Sequence, residues 1–324
     1  MDNNKSSDIN AMIRIAKKYY ELDLSQEQIS KQEDISKSSV SRMLKKAEEN
    51  GYVRHEIVYP VKSVAQQELM FKQYFDIENV FVSPKMVEDK NIRMTDTCSV
   101  VAQDLNKLVS DHDIIGVSWG RTVESLADVL VQPAVPKRGI KVVQLNGSIA
   151  TSVLSTKTAR ILEQFAENFS GIGYQVAAPV LVDDEQIAET IMRDSRIKKV
   201  LDMARECSIA VFSIGQISEQ SVLIERGAIT PDDVAALRAV NAVGDICTRY
   251  FDINGNLVNN DYDARTIGIE LSDLKKKKHR IGIAVGSEKA DAVIGALRGG
   301  YITSLYTDEI TASAVLKRCE ELGI

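Results

Sequence analysis

The sequence predicts an α/β protein in which an N-terminal winged helix-turn-helix precedes a doubly wound, mostly parallel α/β domain. Two observations lead to this prediction. Apolar residues recur at helical spacing up to about residue 50 and a short alternating strand follows to residue 59, whereas strand-like apolar runs alternate with helical stretches from about residue 61 onward. Continuous Val- and Ile-rich strands that alternate with helices are typical of a parallel sheet covered on both faces. We therefore expect two domains, residues 1–59 and residues 60–324.

Residues 1–59 are expected to form three helices. The first covers residues 9–22, and its spacing predicts an apolar face made of Ile9, Met12, Ile13, Ala16 and Tyr20. Ser25 and Gln28 have the spacing of a capping box, which places the start of a second helix directly after Ser25. Ser36 can cap a third helix, and Gly51 occupies the position at which helices commonly end.

A short helix, a tight turn and a longer helix form the pattern of a helix-turn-helix. The segment YVRHEIVY, residues 52–59, alternates like a strand and is predicted to form a wing that ends at Pro60. The apolar face of the third helix is expected to pack on Ile29 and on the first helix, and it consists of Val40, Met43, Leu44 and Ala47.

The third helix carries a local excess of positive charge. Residues 37–46 contain Lys37, Arg42, Lys45 and Lys46 and no acidic residue. In a helix-turn-helix the second helix of the motif enters the major groove with its N-terminal residues facing the base edges. Hydroxyl groups suit phosphate contacts, and Arg42 suits bidentate guanine recognition. The candidate DNA-binding residues are Ser36, Lys37, Ser38, Ser39, Ser41, Arg42 and Lys45. An ordinary helical bundle with a solvated charged face is the alternative.

The larger domain is predicted from seven apolar runs and the helical stretches that separate them. The strand predictions cover residues 79–84, 113–119, 140–146, 174–182, 208–215, 280–286 and 303–308. The helix predictions cover residues 91–109, 155–169, 194–205, 231–239, 288–298 and 309–321. Asn254 and Gly255 between apolar segments indicate a hairpin attached to this core.

Polar residues follow several of the predicted strands, where doubly wound folds bind ligands. Backbone amides at a strand-to-helix turn, helped by a hydroxyl and a guanidinium, can cradle a phosphate. The effector-binding candidates are Gly120, Arg121 and Thr122, then Asn146, Gly147 and Ser148, and finally Asp245 and Lys289. Together they indicate a phosphorylated polyol. A corner packed around Trp119, a solvated Lys289 and a turn-capping Asp245 are the alternatives.

Other residues exclude several classes of site. Four separated cysteines without a CxxC pair and three scattered histidines indicate no metal site and no disulfide framework, and no cofactor motif is present. No apolar run reaches the ~20 residues of a membrane span, and the polar first ten residues lack a signal-peptide core. We therefore expect a cytoplasmic protein that does not contact membranes. The run from Lys275 to Lys278 is interpreted as a solvated turn.

The order of these motifs resembles the SorC family of bacterial sugar-responsive transcriptional regulators. The similar segments are DISKSSVSRMLKKAEENGYV, IIGVSWGRT, VVQLNGS, AVGDICTRYFDINGN, DARTIGIEL and AVGSEKADAVIGAL, and they are most similar to the deoxyribonucleoside regulators of that family. The resemblance implies an effector domain related to glucosamine-6-phosphate deaminase and ribose-5-phosphate isomerase. It also implies tetramers that hold operator DNA through paired N-terminal modules.

The resemblance further implies roles for individual residues. Gly120, Arg121 and Thr122 would cradle the phosphate, Lys289 would be a phosphate partner, and Asp245 would bind a hydroxyl. The sequence departs from relatives that have Thr-Thr where Arg121 and Thr122 stand. It also departs from deoxyribose-type relatives that carry Lys at the position of Asn146, where an amine could trap an aldehyde as an imine. Because an Asn amide cannot do so, we expect reversible, non-covalent binding of the effector.

The leading hypothesis is thus a DNA-binding regulator of a sugar or nucleoside catabolism operon that is controlled by a phosphorylated sugar and has no catalytic residues. One alternative is a sugar-phosphate isomerase or deaminase with an accessory DNA-binding head. Another is a head that contacts only proteins. The net charge of -6 fits the leading hypothesis, because residues 1–59 contain ten Lys/Arg and ten Asp/Glu, so the whole excess of acid lies in residues 60–324.

Overall fold

The computed structural model describes residues 2–53, 64–130, 136–148, 156–258 and 260–324. The chain divides into two compact units, Met1–Val61 and Lys62–Ile324. The predicted wing, residues 52–59, lies outside the described residues except for Tyr52 and Val53. In the part of the chain that is described, no helix is both long enough and apolar enough to cross a membrane.

The small unit consists of three helices, α1 (Asp2–Tyr20), α2 (Gln26–Glu33) and α3 (Lys37–Glu49). The predicted caps of the second and third helices are confirmed. Ser25 accepts a hydrogen bond from the Gln28 amide and completes a capping box. Ser36 accepts from the Ser39 amide. Gly51 follows α3 with a φ of 72°, in the left-handed region that favours glycine.

The apolar core of the small unit confirms the predicted face of α3 and corrects that of α1. Its buried residues are Ile15, Ala16, Ile29, Val40, Leu44 and Ala47. On α1, Ile13 and Tyr20 are exposed, whereas Ile15 is buried. Arg14 and Lys18 both pair with Glu33 of α2. Both ion pairs form because α1 is oriented with Ile15, rather than Ile13, towards the core.

The large unit alternates strands with helices. Its strands are β1 (Asn79–Ser83), β2 (Ile114–Val117), β3 (Lys141–Gln144), β4 (Ile172–Tyr174), β5 (Ile209–Ser213), β6 (Gly215–Gln216), β7 (Gly244–Ile246), β8 (Arg249–Phe251), β9 (His279–Ala284) and β10 (Ser304–Asp308). Its helices are α4 (Ala65–Tyr74), α5 (Lys90–Leu108), α6 (Arg121–Val129), α7 (Thr156–Asn168), α8 (Glu185–Arg193), α9 (Ser195–Glu206), α10 (Val222–Glu225), α11 (Pro231–Ala239), α12 (Asn260–Arg265), α13 (Leu271–Lys275), α14 (Ala290–Arg298) and α15 (Glu309–Leu322). A short 3₁₀ helix, Ser287–Lys289, precedes α14.

Seven strands form one sheet in the order β1-β10-β9-β5-β2-β3-β4, and every neighbouring pair is parallel. Ile209 and Val211 of β5 belong to the core cluster that includes α5, α6 and α7. Ala210 and Phe212 belong to the cluster that includes α4, α9, α14 and α15. Since alternate residues of one strand pack on opposite layers, the sheet is covered on both faces, as predicted.

Two local predictions are wrong and one is confirmed in part. Only Tyr174 of residues 174–182 lies in a strand, because the Val176 amide donates to the Gln144 side chain, and Pro179 and Leu181 form only isolated bridges. The predicted hairpin at Asn254 and Gly255 is confirmed in part, since Phe251 and Leu257 form an antiparallel bridge across that turn, whereas the longer antiparallel ladder joins β7 and β8. Lys277, expected in a solvated turn, is only 3% exposed and donates to the carbonyl of Arg205.

Candidate functional site

A cavity of about 390 Å³ opens at the carboxyl end of the seven-stranded sheet. The chain leaves β2 towards β3 and β4, and it leaves β5 in the opposite direction towards β9 and β10. The ends of β2 and β5 are therefore the topological switch point, where open α/β sheets bind ligands. The residues that line this cavity include Lys90, Ser118, Trp119, Gly120, Arg121, Thr122, Asn146, Gly215, Asp245, Cys247, Thr248, Glu288 and Lys289.

The turn from β2 to α6 brings backbone amides to this cavity. Gly120 has φ 129° and ψ 170° and precedes the helix without a side-chain cap, in a region of backbone conformation that is essentially restricted to glycine. The first amides of α6 are therefore directed to a ligand or to water. Thr122 is buried, whereas Arg121 is exposed and forms an ion pair with Glu225. This arrangement is suited to an anion.

A second strand-to-helix turn places Lys289 on the wall of the cavity. Its Nζ donates to the carbonyl of Ile214 at 2.8 Å, and burial lowers the pKa of this amine to about 8. The turn begins at Gly286, whose φ is 126°. The Gly286 amide donates to Thr311 Oγ1 at 2.7 Å, and Thr311 in turn donates to Asp308.

Asp308 connects this turn to α5. Its Oδ2 lies 2.5 Å from Nε of Arg93, and both side chains are buried. Arg93 also donates to the carbonyl of Glu88. The buried ion pair between Arg93 and Asp308 therefore braces the turn that leads to Lys289.

Asp245 lines the cavity from the middle of β7, a segment for which the sequence predicted no strand. Burial raises the pKa of this carboxyl group to about 6, although the Thr248 amide and the charge of Lys289 act in the opposite direction. The Thr248 amide donates to Asp245 Oδ2 at 3.1 Å. Gly215 packs so closely that a Cβ there would lie 2.0 Å from Asp245 Oδ1. The carboxyl group is therefore held in place on both sides.

The hairpin turn between β7 and β8 supplies Cys247 and Thr248 to the cavity. Both have positive φ, 53° and 66°. A two-residue hairpin turn of this kind normally contains Asn-Gly, because β-branched residues such as Thr rarely adopt positive φ. The local backbone is therefore strained at a cavity-lining position, as is common at functional sites.

Asn146 lies at the end of β3 and lines the cavity, but Gly147 and Ser148 do not. The Gly147 carbonyl accepts from Trp119 Nε1 at 2.7 Å, and Ser148 Oγ accepts from Gln144. Six of the eight effector-binding candidates from the sequence therefore come together around one cavity. Gly147 and Ser148 instead hold the β3 end in place.

Several cavity residues were absent from the sequence-based set. Ser118 precedes the turn at Gly120 by two residues, and Gly215 ends the predicted strand 208–215, for which no site residue was proposed. Applying the rule about strand ends to every predicted strand would have found both. Lys90 and Glu288 form an ion pair at the cavity, although they are distant in sequence. No local sequence pattern predicts such an ion pair.

The small unit presents a second candidate surface, the N-terminal part of α3. Lys37, Ser38, Ser41, Arg42 and Lys45 are exposed there. Ser36, Ser38 and Ser39 form a cluster of hydroxyls, with Ser36 Oγ at 2.8 Å from each of the other two. Arg42 Nε donates to the carbonyl of Ser38 at 3.2 Å. Cationic and hydroxyl groups are thus gathered at one helix end.

A metal centre has no support within the described ranges, which contain no group of three or more His, Cys, Asp or Glu side chains that could hold an ion. The four cysteines are buried as free thiols.

Residues 59–317 match the Sugar-bind family, described as "Putative sugar-binding domain". The chain is 34% identical to the deoxyribonucleoside regulator of Bacillus subtilis over 304 residues, covering 94% of this chain and 96% of that protein. It is 30% identical to the sorbitol operon regulator of Klebsiella pneumoniae over 96% of this chain and 99% of that protein. The crystal structure of full-length SorC from Klebsiella pneumoniae superposes with a TM-score of 0.70 at 29% identity, covering 95% and 99% of the two chains.

Proposed function

Because this chain belongs to the family of SorC/DeoR-like sugar-binding regulators, we propose that it is a sequence-specific DNA-binding transcriptional regulator. It would control an operon for sugar or nucleoside catabolism, and a phosphorylated sugar would control its binding to the operator. Two of its relatives are a deoxyribonucleoside regulator and a sorbitol operon regulator.

The observation that carries this proposal is the chemistry of the cavity at the switch point. The uncapped amides of α6 and the amine of Lys289 suit a phosphate, and Asp245 suits a sugar hydroxyl. Arg121 would exchange Glu225 for the phosphate on binding, since its guanidinium is exposed and already oriented by that carboxylate.

DNA binding is assigned to residues 1–59 as a winged helix-turn-helix, with α3 as the recognition helix. Arg42 would read a base, and Lys37, Lys45 and the hydroxyls of Ser36, Ser38, Ser39 and Ser41 would contact the operator backbone. Residues 60–324 would bind the effector and form a homo-oligomer, from dimer to tetramer, in the cytoplasm. The effector would act by binding one arrangement of the oligomer more tightly than another, because equal affinity for both would shift nothing.

The decisive experiment measures operator binding with and without sugar phosphates. Fluorescence anisotropy of a labelled operator should show salt-dependent binding that a pentose or hexose phosphate changes. Arg42→Ala should weaken operator binding by about 1–3 kcal/mol. Lys17→Ala, which removes an exposed cation of α1, serves as the matched control and should change little. A wild-type protein without salt-dependent operator binding would contradict the proposal.

One observation favours a second candidate, a sugar-phosphate isomerase or deaminase. Asp245 and Lys289 line the same cavity, and burial moves the pKa of each towards neutrality, to about 6 and about 8. Acid–base catalysts have pKa values of this kind. Incubation with pentose and hexose phosphates decides between the candidates. Product formation that Asp245→Asn abolishes would establish the enzyme, whereas binding without turnover supports the regulator.

A further inference from the structure

We infer that Asn146 and Ser118, at the ends of β3 and β2, recognise a hydroxyl group of the sugar, so that the effector carries a hydroxyl there and is not a 2-deoxy sugar. This inference rests on the proposed function and adds the class of sugar to it. It assigns a ligand-binding role to Ser118 and a role in selectivity to Asn146.

Both side chains are buried without a hydrogen-bond partner. Asn146 is 2% exposed and Ser118 is 4% exposed, and both line the cavity. Neither Asn146 Oδ1 nor Ser118 Oγ has a partner among the residues that the structure describes. Buried polar atoms are nearly always paired, since leaving one unpaired costs free energy. By contrast, Gln144 on the same strand uses both ends of its amide, with Ser148 and Val176.

The backbone holds both residues in place. The Ser118 amide donates to the carbonyl of Val211 at 3.0 Å. Asn146 forms a bridge with Gly268, which packs so closely that a Cβ there would lie 2.8 Å from the Asn146 Cβ. The two unpaired atoms are therefore preorganised. A bound ligand can form hydrogen bonds with them without any rearrangement of the main chain.

The sheet order separates the two ends of the ligand. Lys289 follows β9, but its Nζ lies at the end of β5, 2.8 Å from the carbonyl of Ile214. The amides of α6 follow β2, which lies between β5 and β3, and Asn146 follows β3. Because neighbouring strands are about 4.8 Å apart, β3 lies two spacings, or about 10 Å, from β5. A phosphate held by Lys289 and the α6 amides consequently leaves the other end of the sugar facing β3.

The chemistry of the unpaired atoms selects the group that meets them. A phosphate dianion only accepts hydrogen bonds and cannot satisfy Asn146 Oδ1. A hydroxyl can donate to Oδ1 and can also accept from the amide nitrogen or from Ser118. A methylene, which replaces that hydroxyl in a 2-deoxy sugar, leaves the amide oxygen unpaired after water has been displaced.

The test compares matched pairs of sugars by isothermal titration calorimetry on the full chain. The probes are ribose 5-phosphate against 2-deoxyribose 5-phosphate, glucose 6-phosphate against 2-deoxyglucose 6-phosphate, and inorganic phosphate. For each pair that binds, the hydroxylated sugar should bind roughly 5- to 150-fold more tightly. Asn146→Leu should bring this ratio close to one without changing the affinity for inorganic phosphate.

Asn168→Leu is the matched control, because Asn168 is also a buried Asn with an unpaired Oδ1 but does not line the cavity. It should keep the wild-type ratio. Ser118→Ala, which removes one oxygen atom, should also lower the ratio and covers the case in which Asn146→Leu does not fold. A 2-deoxy sugar that binds as tightly as its hydroxylated partner, or a ratio that survives both cavity variants, would overturn the inference while leaving the regulator intact. Failure of every sugar phosphate to bind would instead remove the proposed function as well.

Discussion

Replacing Arg93 by methionine should destabilise the large unit, because it leaves the carboxylate of Asp308 buried without a counter-charge. Arg93 is 6% exposed and Asp308 is fully buried, and 2.5 Å separates Nε from Oδ2. Breaking a buried ion pair by removing one partner costs about 3–5 kcal/mol. For a unit of this size that loss corresponds to a thermal midpoint lowered by roughly 6–20 °C.

The sole tryptophan makes the assay specific. Trp119 is the only Trp in the chain and lies in the large unit, so its fluorescence in urea or heat follows that unit. Adding Asp308→Asn to Arg93→Met should restore part of the loss, since Asn removes the buried charge and keeps an oxygen for the Thr311 amide. The two substitutions should therefore be strongly non-additive.

Arg318→Met is the matched control, because Arg318 also pairs with an aspartate, Asp291, but both side chains are partly exposed. Its midpoint should stay close to that of the wild type. The reasoning fails if Arg93→Met shifts the midpoint no more than Arg318→Met, or if the double variant loses the sum of the two single losses. Since the pair braces the turn before Lys289, Arg93→Met should also weaken phosphate binding.

Five further outcomes are expected. Gly120→Ala should cost roughly 1–3 kcal/mol in urea unfolding through backbone strain alone, because a Cβ there meets nothing closer than 3.8 Å. Phosphate affinity should fall as pH rises through about 8, where Lys289 loses its proton, and Lys289→Met should abolish that dependence. The folded chain loses the Lys289 proton at about pH 8, whereas the unfolded chain keeps it up to about pH 10.5. The cost of burying the charged amine therefore disappears as pH rises through this range, and the free energy of unfolding should increase with pH in urea titrations. The Asp245 carboxyl, with a pKa raised to about 6, is ionised and buried at higher pH, so Asp245→Asn should raise the urea midpoint above pH 6. Lys37→Gln should reduce the salt slope of operator binding by about one without altering base preference.

Local signals predicted much of the fold. Ser25, Ser36 and Gly51 could be assigned as helix-end residues because capping depends on neighbours within four residues. The turn at Gly120 was found because its signal also lies within a short stretch of sequence. Continuous apolar runs likewise located the parallel strands.

The remaining features depend on contacts between distant residues. Lys277 is buried because the carbonyl of Arg205 receives its amine, and no property of the run from Lys275 to Lys278 reveals that acceptor. Ser118 and Asn146 stand out only once burial and missing partners are known. The orientation of α1 was wrong for a similar reason, since Glu33 on another helix helps to determine it.

The strained turn at Cys247 and Thr248 implies a trade-off between robustness and recognition. Asn-Gly at these positions would relieve roughly 1–3 kcal/mol of backbone strain per residue. It would also remove two side chains from the cavity wall and loosen the turn whose Thr248 amide restrains Asp245. A programme that selected this protein for heat resistance alone would therefore be expected to alter the turn early and to erode effector selectivity as it did so.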